Sequence, residues 1–218
     1  MSLLLITGGC SFSECISPWI STWPKHLANS LNVEHISTAM GSQGNGLISR
    51  RLIYQVQKHL PNRDLLVGVV WSGPNRHDFY LDKKIQFPNN DYWMENPTSV
   101  AEESPGGWVI NNPWWSDDYS KNYYTMFHDF VGHLVYTYEH ILRTQWFLDR
   151  HGIKYFMGTY TDEVFPANQL KHPEVQHLYR MIDRSKFLPV NGIYEWCRDF
   201  SNLEFPAKDD NHPSSDQH

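Results

Sequence analysis

The residues best suited to chemistry lie at opposite ends of the chain. Near the start, Gly8-Gly9-Cys10-Ser11-Phe12-Ser13 places a serine on a glycine turn directly after an apolar run. A serine hydroxyl is a weak nucleophile until a positioned base takes its proton. Backbone N–H groups at such a turn can also stabilise a developing oxyanion. The same serine would serve equally well as a helix N-cap. Near the end, Asp209-Asp210-Asn211-His212-Pro213 supplies a base. Asp209 and His212 are three apart, so on one turn the carboxylate reaches Nδ1. That fixes the tautomer with Nε2 free and stabilises the imidazolium. Asp210 is a second, lesser candidate for this orienting role. The alternative for the whole segment is a solvated tail.

Two further loops carry donors. Ala39-Met40-Gly41-Ser42-Gln43-Gly44-Asn45-Gly46 supplies the Gly41 N–H, with Gly44 as its fallback. Ser72-Gly73-Pro74-Asn75 supplies a glycine N–H and the Asn75 side-chain amide. Such donors each contribute on the order of 3 kcal/mol to an oxyanion transition state. Gly and Asn are also the commonest turn residues, so either loop alone carries little weight.

Four of the nine Trp of the chain lie in residues 77–119, where the regular pattern breaks. This stretch follows the Asn75 loop, so it is expected to overhang the site. Trp93, Trp108, Trp114 and Trp115 are candidates for stacking on a sugar ring or holding an acyl chain. A mini-core or an oligomer contact is the competing reading. The chain has twelve His, but no His or Cys spacing makes a convincing metal site. No metal and no cofactor are expected.

The elements that must position these residues alternate along the chain. Leu3 to Thr7 and Asp64 to Trp71 are apolar on nearly every residue, as in parallel strands covered on both faces. Val33–Ser37 and Ile153–Tyr160 are further strand candidates. Helices are predicted at Trp23–Leu31, from Leu47 to Leu60, from Tyr123 to His151 as one long helix, at Pro173–Ile182 and at Gly192–Phe200. Alternation of this kind implies a parallel sheet with helices on both faces. In such sheets the site forms outside the carboxyl ends of the strands. The Ser11, Gly41 and Asn75 loops all follow predicted strands.

Taken together, these residues resemble the SGNH/GDSL hydrolase family. Gly9-Cys10-Ser11 stands where the family has Gly-Asp-Ser, and Gly41 matches its second-block glycine. Gly73-Pro74-Asn75-Arg76 matches Gly-x-Asn-Asp, and Asp209-x-x-His212 matches Asp-x-x-His followed by Pro-Ser. The resemblance spans residues 5–215 and rests on four short blocks in the family's order. It implies a flavodoxin-like three-layer α/β/α sandwich around a central parallel sheet. It also implies ester hydrolysis through an acyl-enzyme, without metal. Ser11 would be the nucleophile, His212 the base and Asp209 its orienting acid. The oxyanion hole would be the Ser11 and Gly41 N–H groups and the Asn75 amide. Cys10 and Arg76 depart from the pattern, each standing where the family has Asp.

At 218 residues the chain is expected to form one domain, with an insertion at about 77–119. A formal charge of -6, with no Lys/Arg-rich run, does not suggest a nucleic-acid or membrane partner. The apolar start is too short for a signal peptide and the three Cys are odd in number, so a reduced cytoplasmic setting is expected. Association with a virion is compatible with the same features. The expected partner is a small-molecule or carbohydrate ester, for example an O-acetylated sugar. An O-acyltransferase with the same triad and a non-catalytic glycan-binding module are the competing functions.

Overall fold

The computed structural model describes residues 2–14, 21–82, 93–95 (backbone alone), 107–114, 118–206 and 210–218. The first half runs β1 (Leu3–Gly8), α1 (Trp23–Leu31), β2 (Glu34–Ser37), α2 (Asn45–His59) and β3 (Asp64–Trp71). Next come β4 (His77–Leu81), β5 (Trp93–Glu95), β6 (Gly107–Asn111) and α3 (Asp118–Met126). The chain continues through α4 (Phe130–Arg150), β7 (Lys154–Thr159), α5 (Pro173–Met181) and α6 (Ile193–Asp199).

The central sheet has the order β2-β1-β3-β7, and every pairing in it is parallel. Counted over these parallel strands, this is the 2-1-3-4 order of a flavodoxin-like sheet. Phe187 makes a single parallel bridge to Met157 where a next strand would lie. Continuous apolar runs form β1 and β3 because both faces are covered. Leu4, Ile6, Val67, Val69 and Met157 pack with Ile48 and Leu52 of α2 and with Leu134 and Tyr138 of α4. On the other face Trp23 of α1 meets Phe156 of β7 edge-on, with ring centres 5.6 Å apart. The molecule is therefore a three-layer α/β/α sandwich. Among the described residues, no helix is long and apolar enough to cross a membrane.

Two expectations are corrected. The described part of 77–119 is not an irregular loop, because β4, β6 and β5 form a second, antiparallel sheet in that order. Its pairings join residues far apart in sequence, and such pairing leaves no local period. The predicted helix from Tyr123 to His151 is two helices. Asp129 is the N-cap of α4, its side chain accepting from the Gly132 N–H at 2.7 Å. An apolar stripe that runs across Phe127 and Phe130 hides that break, since the cap is a side-chain choice rather than a change in hydrophobicity.

Candidate active site

Ser11 sits one turn beyond β1. The Ser13 and Glu14 N–H groups both donate to the Cys10 carbonyl, at 2.9 and 3.1 Å, which closes the turn around Ser11. Trp23 Nε1 donates to Ser13 Oγ at 2.9 Å and ties the turn to α1. Ser11 is 8% exposed, so its hydroxyl faces a sheltered space. Among the described residues no acceptor takes its N–H. Phe12 packs between Tyr160 and His212, with ring centres 4.9 and 5.2 Å away.

The loops after β2 and β3 are stitched to this turn by buried amides. Gln43 Nε2 donates to the Gly9 carbonyl and, at 3.2 Å, to the Thr38 carbonyl. Asn45 Nδ2 donates to the Ser72 carbonyl at 3.0 Å, and Asn45 Oδ1 accepts the Ser72 N–H at 2.8 Å. Asp78 of β4 accepts from the Gly44 and Leu47 N–H groups at 2.8 and 3.1 Å, capping α2 from another sheet. Burial raises the Asp78 carboxyl to about 6, against the lowering effect of those two donors and of Arg76.

The closing segment has no helix or strand around His212 and is held by side chains. Gln217 Oε1 accepts the Ser214 N–H at 2.8 Å, and Ser215 Oγ accepts the Ser21 N–H at 2.9 Å. His212 Nε2 consequently lies 2.7 Å from Ser11 Oγ. On the other side of the ring, His212 Nδ1 lies 2.6 Å from Asp210 Oδ1. That oxygen also accepts the His212 N–H at 2.9 Å. Burial acts to raise the Asp210 carboxyl, but the two bonds from His212 and its charge outweigh this and hold it below its ordinary value. It stays ionised at neutral pH.

The structure brings some of the predicted residues together and not others. Ser11 and His212 are brought together. The orienting carboxylate on His212 is Asp210, while Asp209 lies outside the described residues. The donors differ from expectation. Gly41 lines the cavity, but its N–H is taken by the Glu14 carboxylate and is not free for an oxyanion. Gly44, the fallback, gives its N–H to Asp78. Asn75 is not among the residues lining the cavity, and its Oδ1 accepts from His128 Nε2 at 2.9 Å. Of the aromatics, Trp114 lines the cavity and is 58% exposed. Trp108 does not, because it is buried against Leu47 and Ile110. The Trp93 side chain and Trp115 lie outside the described residues.

A cavity of about 620 Å³ opens at Ser11 and His212. Sequence reasoning missed much of its wall. Tyr160, Thr161 and Glu163 come from the loop after β7, and Tyr194 and Glu195 from the start of α6. The same strand-end rule that selected the first three loops applies to β7 and would have found the first of these groups. Glu195 is held by Thr161 Oγ1 and the Asp162 N–H, both at 3.1 Å. Burial, with help from Asp162, raises both the Glu163 and the Glu195 carboxyls. Arg76 also lines the cavity, from the β3 loop.

A hydroxyl, an imidazole and a carboxylate in series can transfer an acyl group through the hydroxyl. A scan against protein-family models finds no match to this chain, and a search of curated proteins finds none either.

Proposed function

We propose that this protein is a serine esterase of the SGNH/GDSL type, acting on an ester of a sugar-sized molecule through an acyl-enzyme. The observation that carries this reading is the hydrogen-bonded series Ser11 Oγ, His212 Nε2, His212 Nδ1 and Asp210 Oδ1. Its links, at 2.7 and 2.6 Å, are within the range of a working nucleophile, base and orienting acid.

Ser11 Oγ bonds to the ester carbonyl carbon as its proton passes to His212 Nε2. The bond from that carbon to the leaving oxygen then breaks, and His212 returns the proton to that oxygen. The released product is the alcohol, and the acyl group stays on Ser11. Water next attacks the acyl carbon and gives a proton to His212. The carbon–Oγ bond breaks, the serine regains its proton, and the carboxylic acid leaves. Asp210 stabilises the imidazolium in both halves. The Ser11 N–H is a donor for the charge that develops on the carbonyl oxygen. A cavity of about 620 Å³ with Phe12, Trp114, Tyr160 and Tyr194 in its wall suits a monosaccharide-sized substrate.

The test is turnover of p-nitrophenyl acetate, together with labelling by a fluorophosphonate. Wild-type protein is expected to do both, and Ser11→Ala to lose labelling and at least about 10³-fold in kcat. Turnover that survives Ser11→Ala overturns the reading.

A further inference from the structure

Arg76 is 8% exposed, and its Nε and Nη1 are buried without any acceptor among the described residues. Among the described residues no carboxylate lies in ion-pair range of it. It acts on Asp78 through its charge, but the oxygens of Asp78 are already committed to the N-terminus of α2. A buried guanidinium with unpaired donors is costly, and native structures compensate such groups. Arg76 is also flanked by two aromatic rings. Its guanidinium lies over the Trp114 and Tyr160 rings, 5.2 and 5.0 Å from their centres. Cation–π contact of this kind uses none of the N–H donors of the group. Arg76 and the reacting pair, Ser11 and His212, line the same cavity.

Building on the esterase reading, we propose that Arg76 is the specificity-determining residue of this site and that the substrate is an ester bearing a carboxylate, such as an O-acylated uronic acid. A planar carboxylate matches a guanidinium fork with two parallel hydrogen bonds. The rest of the wall argues for one negative charge rather than two. Glu163 and Glu195 face the same cavity, and Asp210 stands behind His212. A phosphate dianion would bring a second charge among these carboxylates, while Arg76 is the one Lys or Arg among the described residues of the wall. The same acidic wall suits sugar hydroxyls, which donate to carboxylate oxygens.

The experiment compares O-acetylated glucuronic acid, its uncharged 6-amide and O-acetylated glucose 6-phosphate. Binding is measured by calorimetry on the Ser11→Ala protein, which holds substrate without cleaving it. The acid is expected to bind roughly 10- to 100-fold more tightly than the amide, the effect of one charge-assisted pair. Ser11→Ala with Arg76→Met is expected to bring acid and amide to within about threefold. Arg76→Lys, which keeps the charge but not the fork, falls between them. Equal affinity for acid and amide in the Ser11→Ala protein, or affinity for neither, overturns the inference, and this comparison needs no change at Arg76. Tighter binding of the phosphate than of the acid also overturns it. The two readings fail separately: selective binding of the acid without any ester turnover sinks the esterase alone. Ser11-dependent turnover of p-nitrophenyl acetate without acid selectivity sinks only the carboxylate site.

Discussion

Asp210 grips His212 twice through a single oxygen: Oδ1 is 2.6 Å from the ring Nδ1 and 2.9 Å from the backbone N–H of the same residue. The backbone bond makes a tight local turn, and the ring bond uses that turn to aim Nε2 at Ser11. Asp210→Asn is therefore expected to lower kcat on p-nitrophenyl acetate by about 10³- to 10⁴-fold, since an amide no longer dictates the tautomer or stabilises the imidazolium. Asp209→Asn is expected to change kcat by no more than about threefold, because Asp210 already holds the His212 ring. Steady-state kinetics of the pair decides which carboxylate orients the base.

Backbone geometry makes Gly9 irreplaceable. Its φ is +156°, and a Cβ there would collide with the Ser13 side chain and come within 3.0 Å of the Val70 carbonyl. Gly9→Ala should lose about 1–3 kcal/mol of stability and displace the Ser11 turn, lowering activity as well. Gly152 has φ +63° with nothing within 4 Å of an added Cβ. Gly152→Ala should cost only about 1 kcal/mol of left-handed strain and leave activity intact. Urea denaturation and esterase assays on both variants separate the two cases.

Trp108 and Trp114 should behave oppositely. Trp108 is 8% exposed and packs in a small core with Leu47 and Ile110, so Trp108→Ala should cost about 3–5 kcal/mol. Trp114 is 58% exposed, so Trp114→Ala should cost under about 1 kcal/mol. Because it lines the cavity and flanks Arg76, its loss should raise KM for an acidic sugar ester. Thermal melts and a KM series provide the contrast.

Stability should fall in mild acid. Burial lowers His140 to about 3, aided by Arg143 and His77, and both of its ring nitrogens lack partners. Burial, aided by His133, lowers His77 to about 4. The unfolded chain protonates these rings near 6.5, before the folded protein does. Their contribution is thus present above pH 6.5 and is lost as pH falls toward 3–4, by at most about 5 kcal/mol for His140 and about 3 kcal/mol for His77. Asp78 acts in the opposite sense. Its raised carboxyl favours folding below its unfolded value, and that contribution is lost as pH rises through about 6. His140→Phe should narrow the gap between urea midpoints at pH 7 and pH 4.5. An unchanged gap would mean that His140 does not drive the acid sensitivity.

Legibility in the sequence tracked locality. β1, α1, β3 and β7 could be read to within one or two residues, because a buried strand or an amphipathic helix is written in consecutive side chains. The sheet of β4, β6 and β5 could not, because its strands find partners across intervening sequence. The break before α4 depends on one capping aspartate inside an unbroken apolar stripe. For the site, the strand-end rule located the Ser11 loop and the glycine loops. The same rule points to the end of β7, where Tyr160 and Glu163 line the cavity.

Residue chemistry is a property of the sequence: a serine after a buried strand and a histidine beside aspartates offer a nucleophile and a base wherever the chain goes. Partnership is not. That His212 reaches across 201 positions to Ser11, that Asp210 holds it, that Glu14 takes the Gly41 N–H and that Arg76 Nε and Nη1 find no acceptor among the described residues were decided by the tertiary structure. The reason is physical. A hydrogen bond depends on distances of a few tenths of an ångström, and those distances are set by how layers pack and loops close, which no local stretch of sequence encodes.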